Sequence, residues 1–198
     1  MNIAVLGSSF DPAHNGHLAI AKNVLKSGRV NKVILIPVNI HPFAKKLTPV
    51  VHRLAMAKLL EEENIKVSDW ELKKNSTSYS IDTLQALQKN FTKDRLYWII
   101  GSDSLESFTK WKDWQKIIKD FGLIIVARDT EINITEEVKK LVNNNVFEKN
   151  IIILNAKDFP PLDVSSSEIK KKIKIGKTIK NLVPKKIENY IIQNKLYA

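Results

Sequence analysis

Short apolar runs alternate with amphipathic stretches along nearly the whole chain, and this alternation restricts the fold more than any other feature. Residues 3–7, 32–37, 65–68, 96–100, 123–127 and 151–154 read as strands, the first ending in glycine as buried parallel strands do. Asp11-Pro12 reads as the N-cap and first residue of a helix that runs to about Ser27 and is closed by Gly28. Further helices are expected over 51–62, 81–91, 103–119, 135–146, 166–173 and 184–194. Strands and helices in alternation, joined by short connections, specify an α/β fold with a doubly wound parallel sheet and helices on both faces. In such sheets ligands bind beyond the carboxyl ends of the strands, so the loops that leave the strands are the place to look for a site.

At 198 residues the chain is expected to form one domain, with the C-terminal helical segment of about 165–198 packed on it. A chain of this size buries roughly 70% of its unfolded surface and needs no disulfide or structural zinc. It contains no cysteine, which excludes thiolate nucleophiles and Cys-based metal sites. The first residues carry no basic region of a signal peptide, and no apolar run approaches the ~18 residues of a membrane span. A soluble cytoplasmic protein is therefore expected, with no membrane partner. The 32 Lys+Arg against 21 Asp+Glu leave a net charge of +11. Such a charge suits phosphate or nucleic-acid partners, and residues 170–186 hold eight lysines without an acid. It also suits a lysine-rich composition, since only Arg29, Arg53, Arg95 and Arg128 are arginines.

Two familiar nucleotide signatures fail. No G-x-G-x-x-G follows the first strand, and Gly176-Lys177-Thr178 lacks the glycine a P-loop needs at position 171, where Lys171 stands. That tripeptide reads as a helix C-cap and turn. The loop after the first strand, Gly7-Ser8-Ser9-Phe10-Asp11-Pro12-Ala13-His14-Asn15-Gly16-His17, is more informative. Its N–H groups, followed by a helix start, make an anion cradle. His14 and His17 share one face of that helix end, and Gly16 between them admits a ligand or another backbone. Imidazole N–H groups here suit a phosphate that gains charge during displacement. The same pair is also readable as surface or capping histidines, or as half of a metal site with Asp11, His41 or His52.

At this point the motifs carry a resemblance. The first loop resembles the nucleotidylyltransferase signature G-G-[ST]-F-D-P-x-H-x-G-H, and Val164-Ser165-Ser166-Ser167-Glu168-Ile169-Lys170 resembles the I-S-S-T-x-I-R motif of that superfamily. Thr77-Ser78-Tyr79-Ser80-Ile81-Asp82-Thr83-Leu84 and Ile100-Gly101-Ser102-Asp103-Ser104-Leu105, with Trp111 and Trp114, resemble the bacterial nicotinate-nucleotide adenylyltransferases. The motifs lie in the family's order and span the chain. The resemblance implies a single Rossmann-like nucleotidylyltransferase domain that transfers AMP from ATP to nicotinate mononucleotide, giving deamido-NAD and pyrophosphate. It implies no protein nucleophile, so catalysis is positioning plus charge neutralisation.

By that resemblance His14 and His17 hold ATP phosphates around the transition state. Gly7, Ser8, Ser9, Phe10 and Gly16 form the ATP loop, with Asp103 orienting substrate from the sheet edge or capping the next helix. Ser165, Ser166, Ser167 and Lys170 take the outer phosphates, although one serine would serve as an ordinary N-cap. Mg²⁺ is held mainly by ATP phosphates, and no protein metal ligand is assigned. Trp111 stacks on the pyridine ring, while Tyr79 and Ser80 offer donors to its carboxylate. Lys45 or Lys46 reaches substrate phosphate. Trp114 is read as core, and Arg53 and Met56 as fitting the helix after that loop.

Two departures stand out. Ser8 replaces the usual second glycine, and Lys170 replaces arginine, keeping charge but losing the bidentate fork. Nicotinamide mononucleotide or phosphopantetheine as acceptor, and a basic nucleic-acid-binding protein, are the competing readings. No nucleic-acid partner is expected, and a homo-oligomer is compatible with the chain.

Overall fold

The computed structural model describes residues 1–40, 47–73, 77–127, 138, 148–158 and 163–198. The expected helix over 135–146 and the loop bearing His41, Lys45 and Lys46 thus fall largely or wholly outside the described residues. Six strands form one sheet: β1 Asn2–Ser8, β2 Lys32–Pro37, β3 Ile65–Val67, β4 Arg95–Gly101, β5 Leu123–Val126 and β6 Ile151–Leu154. Every pairing is parallel, in the order β3-β2-β1-β4-β5-β6. β1 lies at the centre, with Val5 opposite Ile34 of β2 on one side and Trp98 of β4 on the other. The winding direction reverses between β1 and β4, so a crevice opens where their carboxyl ends diverge.

The strand period of two sends alternate residues to opposite faces, and both faces are covered. Ala4, Leu6, Val33 and Leu35 join α1 (Asn15–Lys26), α2 (Val50–Lys58) and the C-terminal helices Ser166–Lys174 and Lys185–Gln193 in one core. Ile3, Val5, Ile34, Ile36 and Trp98 join α3 (Ser80–Asn90) and the segment around Phe108 and Ile117 in the other. Among the described residues no helix is long and apolar enough to cross a membrane.

Three helix boundaries differ from the sequence expectation. The first helix starts at Asn15 with His14 as its extended N-cap, not at Asp11-Pro12. Asp11 does not cap it because its carboxylate is drawn inward by Thr48, Lys170 and Tyr197. The stretch 51–62 stays helical only to Lys58 and then turns, with Leu60 and Glu61 closing tight backbone bonds to Ala57 and Lys58. The single helix expected over 103–119 is broken into a short turn at Ser102–Ser104, Leu105–Phe108, Trp114–Lys116 and a π-helical turn at Ile117–Phe121. Phe108 packs against both Trp111 and Trp114, and the chain reverses between them through Asp113 at φ +49°. Gly176, at φ +65° after Ser166–Lys174, is the helix-ending turn expected of it.

Candidate active site

The first loop leaves the sheet after Ser8, and at Gly7 just before it a Cβ would lie 2.5 Å from the Trp98 ring. Only glycine lets that indole lie against the strand end. Three residues after Gly7, Phe10 takes φ +49° with its side chain fully buried, a conformation costing a non-glycine residue about 1–2 kcal/mol. Arg53 on α2 holds this shape from beneath. It is 2% exposed and donates to the carbonyls of Ser9, Val38 and Thr48 at 3.0, 2.7 and 2.8 Å. It therefore laces the ends of β1 and β2 together. Burial lowers its pKa, and the nearby Asp11 and Tyr197 oppose that shift.

Helix α1 then presents both histidines at its first turn. The His17 ring sits 4.6 Å from that of Phe10 and 3.8 Å from that of His14. His17 Nδ1 accepts from the His14 N–H at 3.3 Å, so in the neutral ring the proton belongs on Nε2. Nε2 lies 3.0 Å from Ser8 Oγ. The hydroxyl that replaces the usual glycine is thus a partner of the second histidine. At Gly16 a Cβ would meet His14 Nδ1 at 2.9 Å and the Val164 carbonyl at 3.3 Å, so this glycine makes room for a ring and for the approach of the C-terminal segment.

A cavity of about 420 Å³ opens above this turn. Ser8, Ser9, Gly16 and both histidines line one wall, and Ser165, Ser166, Ser167 and Lys170 another. Ser165 caps its helix by accepting from the Glu168 N–H, and Ser166 donates to the Pro12 carbonyl at 3.0 Å. Lys170 Nζ lies 2.5 Å from the Asp11 carboxylate, which is 1% exposed. Burial pushes the Asp11 carboxyl up, but hydrogen bonds from Lys170, Thr48 and Tyr197 outweigh it and hold the group below the usual aspartate range.

A second cavity of about 340 Å³ lies on the other side of β1, lined by Gly7, Ser8, Tyr79, Ser80, Trp98 and Trp111 among others. Ser8 borders both cavities. Tyr79 is the N-cap of α3, so the helix's first N–H groups open toward this side. Trp111 rests on Phe108 at 5.3 Å between ring centroids. Lys112 bridges to Asp82 on α3 at 2.9 Å and lies 5.0 Å from the centre of the Tyr79 ring, joining the two walls. Asp82 also raises the Lys112 pKa.

The structure therefore gathers the histidines, Ser8, Ser9, Gly16, the three serines and Lys170 in one place, and Tyr79, Ser80 and Trp111 in a neighbouring one. Gly7 falls on the second cavity rather than the first. Phe10 lies in the core under His17, and exposed Asp103 sits at the end of β4 on neither cavity wall. Trp114 packs on the core, as read from the sequence. Sequence reasoning missed Asn23 in the first cavity, and Glu71, Lys110 and Lys112 in the second. Asn23 had a signal: His17, Ile20 and Asn23 follow one another at helical spacing. Among the described residues, no cluster of three or more His, Asp or Glu is placed to hold a metal ion.

A parallel sheet in this order, with a histidine-bearing helix start at its switch point, defines a nucleotide-binding transferase of the Rossmann-like type. Residues 5–172 match the family model described as cytidylyltransferase-like. Relatives carrying the name "probable nicotinate-nucleotide adenylyltransferase" align end to end. One from Clostridium tetani is 37% identical over 98% of both chains, and one from Dictyoglomus thermophilum is 35% identical over the full length of both. The chain belongs to the nicotinate-nucleotide adenylyltransferase family. The Plasmodium falciparum nicotinic acid mononucleotide adenylyltransferase solved with NaAD shares the fold at TM-score 0.81 and 22% identity, covering 99% of this chain and 97% of its own.

Proposed function

We propose that this protein joins nicotinate mononucleotide to the AMP moiety of ATP, giving deamido-NAD and pyrophosphate in NAD biosynthesis. A phosphate oxygen of the nicotinate nucleotide forms a bond to the α-phosphorus of ATP as the bond to the β-phosphate oxygen breaks. The observation that carries this reading is the pair of cavities meeting at Ser8, one suited to a polyphosphate and one to an aromatic acid.

In this reading ATP lies in the first cavity, cradled by Ser8, Ser9 and Gly16, with Phe10 supporting the loop from the core. His14 and His17 face the phosphate that gains charge, and preorganised N–H donors there act in the transition state more than in the ground state. Ser165, Ser166 and Ser167 offer hydroxyls and the open N–H groups of a helix start to the outer phosphates, with Lys170 adding positive charge. Asp11 lines the cavity but is committed to Lys170, Thr48 and Tyr197, so Mg²⁺ would be held mainly by the phosphates of ATP. Bound there, the ion screens the polyphosphate charge. The pyridine ring stacks on Trp111, and its carboxylate, an acceptor only, meets the N–H and hydroxyl donors of Tyr79 and Ser80. Lys110 and Lys112 at the rim add charge complementary to an acid rather than an amide.

Residues 1–198 act in this reading as one nucleotidylyltransferase domain, since Ile169, Ile187 and Ile191 of the C-terminal helices share a core with the sheet, and NAD biosynthesis from these substrates places it in the cytoplasm. No nucleic-acid partner is assigned. The lysines of residues 170–186 are flanked by acids that the helices bring onto them, Glu168 to Lys172 and Glu188 to Lys185. Pyrophosphate release is measured with nicotinate mononucleotide, nicotinamide mononucleotide and phosphopantetheine as acceptors. The nicotinate compound should turn over with the highest kcat/KM, and a preference for either other acceptor overturns the assignment.

A further inference from the structure

The loop after β1 is fastened to the far end of the chain by a set of polar contacts. Ser166 donates to Pro12, Asn15 pairs with the backbone of Asn181 and Leu182, and Lys170 and Tyr197 both reach Asp11. The Asp11 cluster joins a buried carboxylate to an ammonium that faces the first cavity. Asp11 Oδ2 takes Lys170 Nζ and the Thr48 N–H, at 2.5 and 3.2 Å, while Oδ1 takes the Tyr197 hydroxyl at 2.7 Å. The Tyr197 ring also lies 5.3 Å from Lys170 Nζ. Lys170, by contrast, lines the first cavity with its side chain 32% exposed.

We propose that Tyr197 is a positioning residue for Lys170, setting where its ammonium stands at the phosphate end of the first cavity. A lysine is a point charge on a flexible stem, and it lacks the fixed fork that arginine would bring to this position. Its placement must come from its neighbours. The phenol fixes the rotation of the Asp11 carboxylate by occupying Oδ1, which leaves Oδ2 toward Lys170. The ring face closes a second side of the ammonium by cation–π attraction. Burial and the Asp11 contact raise the Tyr197 pKa, so the hydroxyl keeps its proton and remains the donor. The departure from arginine and the reach of the C-terminal tyrosine are thereby parts of one arrangement.

The proposal rests on the reading of the first cavity as the ATP site, and its test separates the two. Binding of ATP and of inorganic triphosphate is measured by calorimetry for wild type, Tyr197→Phe, Tyr197→Leu, Lys170→Met and the double variant Lys170→Met/Tyr197→Phe. Tyr197→Phe keeps the ring and should weaken both probes about 3- to 10-fold, Tyr197→Leu should weaken them further, and KM for nicotinate mononucleotide should not move. In the Lys170→Met background Tyr197→Phe should add nothing.

An equal loss in both backgrounds, no loss, or an equal rise in KM for nicotinate mononucleotide overturns the proposal. If Lys170→Met fails to fold, the split between triphosphate affinity and acceptor KM in Tyr197→Phe decides alone. A wild type that binds neither probe overturns the proposal together with the ATP assignment. Coupling seen with triphosphate in a protein that does not adenylate nicotinate mononucleotide upholds the proposal and removes the acceptor assignment instead.

Discussion

The two cavities that meet at Ser8 are held in shape by different means. Around the first, the supporting contacts centre on two buried residues and reach across the chain. Arg53 grips carbonyls at the ends of two strands, and Asp11 gathers Lys170, Thr48 and Tyr197. Around the second, the walls are joined by Lys112 and Asp82, an exposed pair, and by the packing of Trp111 on Phe108. Exposed ion pairs contribute about 0–1 kcal/mol, whereas breaking a buried one leaves a charge stranded in low dielectric. In the proposed reading the first cavity is the one that must hold reacting groups in line for a displacement at phosphorus. In the same reading the second cavity has only to admit and release a ring.

This contrast is most directly broken at His17. His17→Ala should lower kcat about 10²- to 10³-fold with little change in KM for nicotinate mononucleotide, because the proposed contact strengthens in the transition state. Steady-state kinetics with the acceptor varied at saturating ATP reads this. A pure KM effect would place His17 in ground-state binding and blur the division between the cavities.

Trp111→Ala should act on the other side, raising KM for nicotinate mononucleotide about 10-fold while KM for ATP stays within a factor of two, as loss of an aromatic stack does. An equal loss for ATP would remove the stacking role. The smallest expected effect concerns the floor of the first cavity. The folded-state pKa of Asp11 is held below its unfolded value, so its contribution to stability is fully present above about pH 4 and lost as pH falls through the depressed value. The melting-temperature advantage of wild type over Asp11→Asn should therefore be level from pH 8 to about pH 5 and narrow below about pH 4. An advantage that instead grew on acidification would contradict the charge assignment.

Much of the fold was legible in the residues. The apolar runs at 32–37 and 151–154 became strands with the bounds expected of them, because short β-rich segments flanked by turn residues leave few alternatives. The site was legible where spacing itself carries chemistry, as in His14-x-Gly16-His17 and the serine run. It was not legible where a residue's role depends on what comes to meet it. Asp11-Pro12 has the local signature of a helix start, yet Asp11 faces Lys170 and Tyr197, more than 150 residues away in sequence. Helical periodicity through 103–119 was real, but Phe108, Trp111 and Trp114 pack as a cluster that turns the chain at Asp113. Phe10 and Gly7 belong to the signature loop, and only packing puts one in the core and the other against Trp98.

The sequence by itself determined the class of fold, the histidine loop that lines the first cavity and the family to which the chain belongs. Those depend on periodicity and on local residue patterns, which are properties of neighbouring positions. Tertiary structure alone decided that Ser8 pairs with His17, that Arg53 laces two strand ends, that Lys110 and Lys112 border the second cavity, and that Tyr197 completes the Asp11 cluster. These contacts join residues distant in sequence. Their energies depend on burial and on partner geometry, and neither exists until the sheet has brought the ends of the chain together.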